Sequence, residues 1–274
     1  MAPANQTPES IQAAKTETPA TAAKNALGFG NNLINFENLE SMACENGTRY
    51  QQAEPYPHAV IDSFLNLEVV KKIADEFPNS DQKGRWLDFN GRDKNGTLVQ
   101  ANKYHISDEN LMGFYTQRLL FELKGARFLK FLETLTGIPD LIPDALNHGG
   151  GIHLNRTGAL LKIHADFNRH PQWHLDRRLN LLLYLNESWL DSYGGALELW
   201  NKDMSQCASK IWPIAGRCVI FSTSSTSYHG HPDPLTCPEG VSRKSLALYY
   251  YTNRKPEIPI ESTSTLWQNR PDID

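Results

Sequence analysis

A histidine and an aspartate lie two positions apart in the otherwise apolar segment LLKIHADFNRH, residues 160–170. Side chains two positions apart on a β-strand point to the same face, so His164 and Asp166 would share one side of a sheet. Neutral imidazole and carboxylate are both good ligands for a divalent iron. A buried histidine that is hydrogen-bonded to a nearby carboxylate would explain the same two residues. The pair alone leaves both interpretations open.

A second polar cluster lies in the segment TSYHGHPDPLTCPEGVSRKSLALYYYT, residues 226–252. It contains two histidines, His229 and His231, and places Arg243 at the start of a predicted strand. On that strand Arg243 shares a face with Ser245, Ala247 and Tyr249. An inward-facing arginine is costly unless it meets an anion, and its two parallel donors suit a carboxylate. Two histidines and one carboxylate bind one face of an iron and leave its other positions open.

The region from about Gly149 to Thr252 resembles the iron(II)- and 2-oxoglutarate-dependent dioxygenase superfamily. Within it, the prolyl 4-hydroxylase-like branch is the most similar. Five elements carry the resemblance, in order: HAD, LLLYLN, YGGALELW, RCVIFSTSSTSYHGHP and SRKSLALYYYT. The earlier segment PYPHAVIDSFL also resembles the opening of many bacterial members. The resemblance implies an α+β fold with a double-stranded β-helix (jelly roll) core and flanking N-terminal helices.

The resemblance also implies roles for individual residues. His164 and Asp166 would be the proximal iron ligands, and His229 the distal one. His231 competes with His229 for that role, and the alignment of the motif favours His229. Arg243 would pair with the far carboxylate of 2-oxoglutarate, and Tyr184 in YLN would hydrogen-bond the same group. The implied cofactors are Fe(II), 2-oxoglutarate as co-substrate and O2, with ascorbate as a candidate auxiliary reductant.

The implied reaction is hydroxylation of an unactivated C–H bond, with release of succinate and CO2. Related halogenases lack the carboxylate at the position of Asp166, so its presence favours hydroxylation. The expected partner is a small-molecule or peptidyl substrate: a prolyl residue, a free amino acid, a sugar or another metabolite. The alternative is a non-catalytic jelly roll that binds a metal or a carboxylate. A structural metal site needs no open positions and no anion anchor, which argues against that alternative.

Other polar residues near these motifs are weaker candidates. His153 in GGGIHLNRTG is a candidate for the pocket wall. The consecutive tyrosines at 249–251 are predicted to pack within the sheet, because aromatic residues favour strands. Arg178, Asn180, Leu182 and Tyr184 should share a strand face that is compatible with a pocket. The basic residues that follow the first two ligands could bind an anionic or polar substrate at the barrel mouth, but a solvated, positively charged loop is the preferred interpretation for each of them: Arg169, His170, His174, Arg177 and Arg178.

The order of elements places helices before strands. PYPHAVIDSFL predicts a short strand and turn, and Asn66 can cap a helix that Pro78 limits. Residues 79–105 are polar and rich in Gly and Asn, which predicts a long loop. Two helices are expected at 108–123 and 126–136. After Pro143, short apolar runs separated by turns indicate an antiparallel sandwich or barrel.

We therefore predict one domain over residues 31–274, with a helical part at about 55–140 and a β core at about 143–253. Residues 1–30 have the composition of a disordered tail.

The composition limits the possible binding partners and the cellular compartment of the protein. A formal net charge of −4 without a long basic run argues against nucleic acid as a partner. No apolar run approaches the length of a transmembrane helix, which argues against a membrane protein. The four cysteines form no CxxC pair and are too few for a disulfide scaffold in 274 residues. We expect them to be reduced and the protein to be cytoplasmic.

Overall fold

The computed structural model describes residues 32–78, 86–253, 262–271 and 273. The predicted tail at residues 1–30 lies outside the described residues. The described residues from Leu33 onward form one compact unit. No helix in this described part of the chain is long and apolar enough to cross a bilayer. All four cysteines are free thiols, as predicted.

The first helix, α1 (Phe36–Gln51), was not predicted, because ordered structure was expected to begin near residue 55. Its sequence is polar and contains Gly47, which lowers helix propensity. The Asn35 side chain caps the helix by accepting a hydrogen bond from the Asn38 N–H. A Cβ atom on Gly47 would lie 3.3 Å from the Thr134 carbonyl oxygen, so glycine allows a close approach to a later helix. Packing rather than propensity therefore supports this helix. Its buried residues are Phe36, Leu39, Ala43 and Tyr50.

The other three helices agree with the prediction, apart from one boundary. Helix α2 (Leu67–Asp75) begins after Asn66, whose side chain accepts from the Glu68 N–H. Residues 109–111 form a short 3-10 turn, so the predicted helix at 108–123 begins later. Helix α3 spans Phe114–Lys124, and helix α4 spans Ala126–Thr136.

The late start of α3 has a tertiary cause. Glu76 follows α2, and its carboxylate accepts hydrogen bonds from the backbone N–H groups of Tyr115 and Thr116 at 2.8 and 2.9 Å. A carboxylate at a helix N-terminus satisfies free N–H groups and complements the helix dipole. The cap of α3 therefore comes from another helix, which sequence spacing cannot show.

The prediction of a long loop at 79–105 was wrong for residues 87–105. Strand β1 (His58–Ile61) was expected, but β2 (Leu87–Arg92) and β3 (Leu98–Ile106) form an antiparallel hairpin in the supposed loop. The hairpin is polar because β2 is mostly exposed and one face of β3 lines a pocket. The Asn95–Gly96 pair at its turn is a common hairpin signal, and Gly96 has a φ of 84°.

The remaining strands build the β core after the helices. Together with β1–β3 they form a nearly closed antiparallel sheet, in the order β1-β9-β6-β11-β5-β10-β7-β8, in which β3 and β12 also pair with β5. The strands are β4 (Ile142–Pro143), β5 (Gly151–Ala165), β6 (Asp176–Tyr184), β7 (Leu197–Trp200), β8 (Cys207–Ile211), β9 (Cys218–Ser222), β10 (His229–His231), β11 (Arg243–Thr252) and β12 (Leu266–Trp267).

The two faces of the sheet have different roles. In β6, Leu179, Leu181 and Leu183 belong to the main hydrophobic core with the helices. The alternate residues Asn180 and Tyr184 line a pocket on the other face. Strand β11 repeats this division, since Leu246, Leu248 and Tyr250 pack in the core and Arg243, Ser245 and Tyr249 line the pocket. The period of two along a strand thus separates structural from candidate functional residues.

Candidate active site

The structure brings His164, Asp166 and His229 together. His164 lies near the end of β5 and Asp166 follows that strand, while β10 pairs with β5 so that His229 lies directly opposite His164. One potential ligand atom from each of the three residues lies within 4.8 Å of the others. Within the described residues, these three form the one cluster of His, Cys, Asp and Glu side chains whose spacing could hold a metal ion.

Hydrogen bonds orient the two imidazoles. Nδ1 of His164 lies 2.9 Å from the Lys162 carbonyl oxygen, and Nδ1 of His229 lies 2.9 Å from the Ser227 carbonyl oxygen. A carbonyl oxygen can only accept, so both Nδ1 atoms carry the proton and both Nε2 atoms keep a free lone pair. The Nε2 atoms lie 3.5 and 3.4 Å from the two Asp166 oxygens. Burial lowers the pKa of His164, which keeps its ring in the neutral form that binds metals.

Asp166 is held by two further side chains. Arg177 Nη2 lies 3.0 Å from Asp166 Oδ2, and Asn180 Nδ2 donates to the same oxygen at 2.7 Å. Arg177 also donates through Nε and Nη2 to Asn180 Oδ1, at 2.9 and 2.7 Å. Burial opposes ionisation of Asp166, but the Arg177 guanidinium beside it holds its pKa well below the ordinary value. The carboxylate is therefore ionised and fixed in place by the protein alone.

The prediction that Arg177 lies in a solvated loop was wrong. Arg177 is only 4% exposed, and its guanidinium lies 3.6 Å from the centroid of the Tyr249 ring. A β-bulge explains the error, because Tyr250 and Tyr251 oppose Leu179 and Arg177, leaving Arg178 as the extra residue. Arg177 therefore takes the pocket-side place that a regular strand would give to Arg178. Sequence periodicity carries no signal for such a bulge.

The rest of the predicted basic loop divides in two. His170 is fully buried, which corrects the prediction for that residue. Its Nδ1 accepts from the backbone N–H groups of Gln172 and Trp173, and its ring stacks on Trp173 with centroids 4.4 Å apart. His170 therefore organises the loop rather than the site. Arg169 and His174 lie at the surface, where Arg169 Nη2 donates to the His174 carbonyl oxygen at 2.9 Å.

Arg243 and Tyr184 face the same pocket. Arg243 is 5% exposed, and it donates through Nε to the Gly195 carbonyl oxygen at 2.9 Å and through Nη2 to the Tyr184 hydroxyl at 3.3 Å. Burial lowers the pKa of Arg243, and the interaction with Tyr184 partly opposes this effect. A Cβ on Gly195 would lie 3.1 Å from Arg243 Cδ, so this glycine also makes room for the arginine. No carboxylate among the described residues forms an ion pair with Arg243.

His231 and His153 also line the pocket. His231 is the last residue of β10 and is 5% exposed, so this strand end forms part of the pocket wall. Its Nε2 lies 3.1 Å from Asn155 Nδ2, while its Nδ1 has no hydrogen-bond partner. The geometry therefore groups His229, and not His231, with His164 and Asp166.

Trp267 and Lys103 are among the pocket residues that sequence reasoning missed. Trp267 in β12 lies opposite His164, and their ring centroids are 5.0 Å apart. Lys103 enters the pocket from β3. Both belong to segments whose own pattern does not predict a site, because β12 has only two residues and β3 was predicted to be loop. The pocket encloses about 1000 Å³, including its open mouth.

Comparison with known protein families agrees with the geometry of the site. Residues 151–251 match the family model described as the 2OG-Fe(II) oxygenase superfamily. The chain is also 24% identical over 203 residues to prolyl 3-hydroxylase OGFOD1 of Mus musculus. That match covers 72% of this chain and 33% of the relative, so this chain spans about a third of the relative's length.

Two solved structures share the fold. A prolyl hydroxylase in complex with a hypoxia inducible factor peptide fragment, from Trichoplax adhaerens, matches with a TM-score of 0.55 and 17% identity. The match covers 78% of this chain and 91% of that one. A prolyl-4-hydroxylase from Pseudomonas putida matches with a TM-score of 0.51 and 18% identity, over 77% of this chain and 100% of that one. At these identities the likeness shows the fold, and it confirms the predicted jelly roll.

Proposed function

We propose that the chain, whose residues 151–251 match the 2OG-Fe(II) oxygenase superfamily, is an Fe(II)- and 2-oxoglutarate-dependent hydroxylase that releases succinate and CO2. The observation that carries this proposal is the convergence of His164, Asp166 and His229 in a pocket that also contains Arg243 without a carboxylate partner. Within this proposal, residues 31–274 are the catalytic domain and residues 1–30 are a tail that catalysis does not require.

The donor set fits iron. His164, Asp166 and His229 would hold it from one side through two imidazole nitrogens and one carboxylate, a set typical of non-haem iron oxygenases. The Nδ1 hydrogen bonds leave both Nε2 lone pairs free to bind a metal, as metal-ligating histidines require. Bound iron and 2-oxoglutarate would supply the oxidising chemistry, while the chain positions the reactants.

Arg243 and Tyr184 are the proposed anchor for the far carboxylate of 2-oxoglutarate. A guanidinium can give two parallel charge-assisted hydrogen bonds to a carboxylate. Burial raises the pKa of Tyr184, so its hydroxyl stays protonated and can donate. The Arg243 Nε bond to Gly195 fixes the guanidinium before the ligand arrives.

Three other residues would prepare the site for the reaction. Arg177 and Asn180 hold Asp166 in one orientation, so the carboxylate needs no rearrangement when the metal binds. Trp267 lies beside the His164 ring and limits the access of water to that ligand. These are positioning roles, because neither Arg177 nor Trp267 belongs to the proposed ligand set.

The proposed substrate class is a prolyl residue, an amino acid or another small molecule. The names of the relatives, two prolyl hydroxylases of known structure and a prolyl 3-hydroxylase, support an amino-acid type of substrate.

The test is succinate formation from 2-oxoglutarate in the presence of Fe(II) and O2, with panels of prolyl peptides, amino acids and sugars. We expect at least one compound to stimulate succinate formation by the wild type and none to stimulate Asp166→Ala. Iron and 2-oxoglutarate binding without succinate formation under any condition would instead support the non-catalytic alternative.

A further inference from the structure

The pocket carries more positive charge than the proposed cofactors account for. Among its described lining residues, Lys103, Arg177 and Arg243 are cationic, and Asp166 is the one carboxylate. Arg177 is paired with Asp166 at 3.0 Å, which leaves Lys103 and Arg243. Iron(II) and 2-oxoglutarate carry equal and opposite charges, so binding both leaves this surplus unchanged. A surplus of buried positive charge indicates that a further anion binds.

Lys103 lies in a defined place relative to Arg243. In the β3–β5 pair Lys103 is directly opposite Asn155, and in the β5–β11 pair Arg243 is opposite the same Asn155. The three residues thus form one row across three neighbouring strands. The Cα atoms of Lys103 and Arg243 are separated by two strand spacings, about 10 Å. The two cations can therefore serve two different anionic groups.

A break in strand register directs Lys103 into the pocket. The pairing of β3 with β5 shifts between Ala101 and Lys103, where Asn102 has a φ of 49°. As a result Gln100, three positions before Lys103, also lines the pocket, although a regular strand would place the two on opposite faces. The irregular backbone at Asn102 therefore places the Lys103 side chain in the pocket.

The ammonium group of Lys103 is unpaired within the part of the chain that the structure describes. No described residue forms a hydrogen bond or an ion pair with it. Burial, reinforced by Arg243 and Arg177 and opposed by Asp166, lowers the pKa of Lys103 to about 8. The amine is therefore still largely protonated near neutral pH.

Besides Arg177 Nη1, three buried polar atoms of pocket-lining residues have no hydrogen-bond partner among the described residues: Asn155 Oδ1, His153 Nε2 and His231 Nδ1. Their residues are 2%, 7% and 5% exposed, and all three line the pocket. Buried polar atoms in native proteins nearly always have partners, so three on one wall indicate a site that a polar ligand completes. Asn155 is the direct neighbour of Lys103 in this wall.

We propose that Lys103 binds a carboxylate of the primary substrate, while Asn155 Oδ1 beside it accepts a hydrogen bond from a donor group of the same molecule. The substrate is then a small carboxylic acid such as a free amino acid, rather than an internal residue of a peptide. This inference rests on the proposed function, which assigns the two ends of 2-oxoglutarate to the iron and to Arg243.

The position of Lys103 favours the substrate over the co-substrate. Lys103 is half-buried and belongs to the β2–β3 hairpin, whose outer strand is largely exposed. Phe89 of the same hairpin lines the pocket and is 45% exposed, which places this wall at the mouth. Arg243 is nearly inaccessible by comparison. A molecule that enters last would meet Lys103 first.

The test measures binding of matched probes, so that it does not depend on turnover. Protein loaded with Mn(II) and saturated with 2-oxoglutarate is titrated, without oxygen, with free L-amino acids and with their amides, beginning with L-proline and L-prolinamide. Mn(II) suits a site of this kind but is used here only as a binding probe. We expect at least one amino acid to bind at least about 10-fold more tightly than its amide, the scale of a charge-assisted hydrogen bond.

Lys103→Met should remove that preference, with a loss of about 10- to 100-fold in affinity for the amino acid. Lys103→Arg should retain part of it because the positive charge remains. Lys94→Met is the matched control, since Lys94 lies on the same hairpin and is exposed. It should bind the probes as the wild type does.

Titration with 2-oxoglutarate separates the possible failures. Lys103→Met should bind 2-oxoglutarate as the wild type does, which also shows that the variant is folded. If Lys103→Met weakens 2-oxoglutarate as much as Arg243→Met does, Lys103 belongs to the co-substrate site and the inference is wrong. A wild type that binds 2-oxoglutarate but never prefers an amino acid to its amide overturns the inference alone. A wild type that fails to bind 2-oxoglutarate overturns the proposed function as well.

Discussion

Two regions of the pocket differ in whether their charged side chains are paired within the protein. In the first region, the triad region, Asp166 is paired with Arg177 and hydrogen-bonded by Asn180. The second region is the cationic wall, which is formed by Lys103, Asn155, Arg243, His153 and His231. Neither of its cations has a carboxylate partner among the described residues, and three of its buried polar atoms lack hydrogen bonds.

The difference shows which part of the pocket is complete without ligands. The Asp166–Arg177 ion pair is held by further hydrogen bonds to Asn180 and so keeps its geometry in the empty protein, although Arg177 Nη1 has no hydrogen-bond partner among the described residues. An unpaired buried cation lowers the stability of the protein until an anion binds. Ligand binding should therefore stabilise the cationic wall, whereas in the triad region the protein's own ion pair already compensates the charge of Asp166. The predictions below test this contrast, beginning with the largest expected effect.

The largest effect should come from the triad itself. His164→Ala and His229→Ala should each lose bound iron and reduce turnover to background, because each removes one of three proposed ligands. Metal content and succinate formation are the measurements. His231→Ala is the matched control and should retain iron. The opposite result, with iron lost in His231→Ala and kept in His229→Ala, would exchange the roles of the two histidines.

Arg177→Met should destabilise the metal-free protein by about 3 kcal/mol, since it leaves the Asp166 carboxylate buried without a cation. Urea unfolding of the metal-free protein measures the change in free energy of unfolding. The double variant Arg177→Met, Asp166→Asn should recover part of the loss, because the charge that Arg177 compensates is gone. An unchanged unfolding midpoint in Arg177→Met would show that the pair is not needed to stabilise the triad region.

Arg243→Met should have the opposite signature. We expect it to weaken 2-oxoglutarate by about 100-fold while leaving iron affinity and the stability of the ligand-free protein unchanged or higher, because an unpaired buried cation is removed. Calorimetry with 2-oxoglutarate and urea unfolding give the two values. A variant with normal 2-oxoglutarate affinity would exclude Arg243 from the co-substrate site. A variant that unfolds as easily as Arg177→Met would remove the contrast between the two regions.

The smallest effect is expected for Tyr184→Phe, which keeps the buried ring and removes one neutral hydroxyl. One neutral hydrogen bond corresponds to about 2- to 10-fold in 2-oxoglutarate affinity. The same calorimetric titration measures it. A loss as large as that of Arg243→Met would mean that the hydroxyl, and not the guanidinium, dominates recognition of the carboxylate.

The sequence by itself determined the features that depend on local spacing. The HAD motif places His164 and Asp166 close to each other at the end of one strand, and alternation along the last long strand places Arg243 with Ser245 and Tyr249 in the pocket. Helices α2 and α4 follow from a capping asparagine and from apolar periodicity. Each of these signals lies within a few residues, where bond geometry fixes the direction of side chains.

Only the tertiary structure decided the rest. The bulge at Arg178 gives Arg177 its place beside Asp166, and the register shift at Asn102 turns Lys103 inward. Trp267 reaches His164 across about a hundred residues of chain, and α1 is held by packing that its own propensity does not favour. The physical reason is the same in each case. Bulges, register shifts and close approaches arise from pairing between distant segments, and the period of a single segment contains no record of its partner.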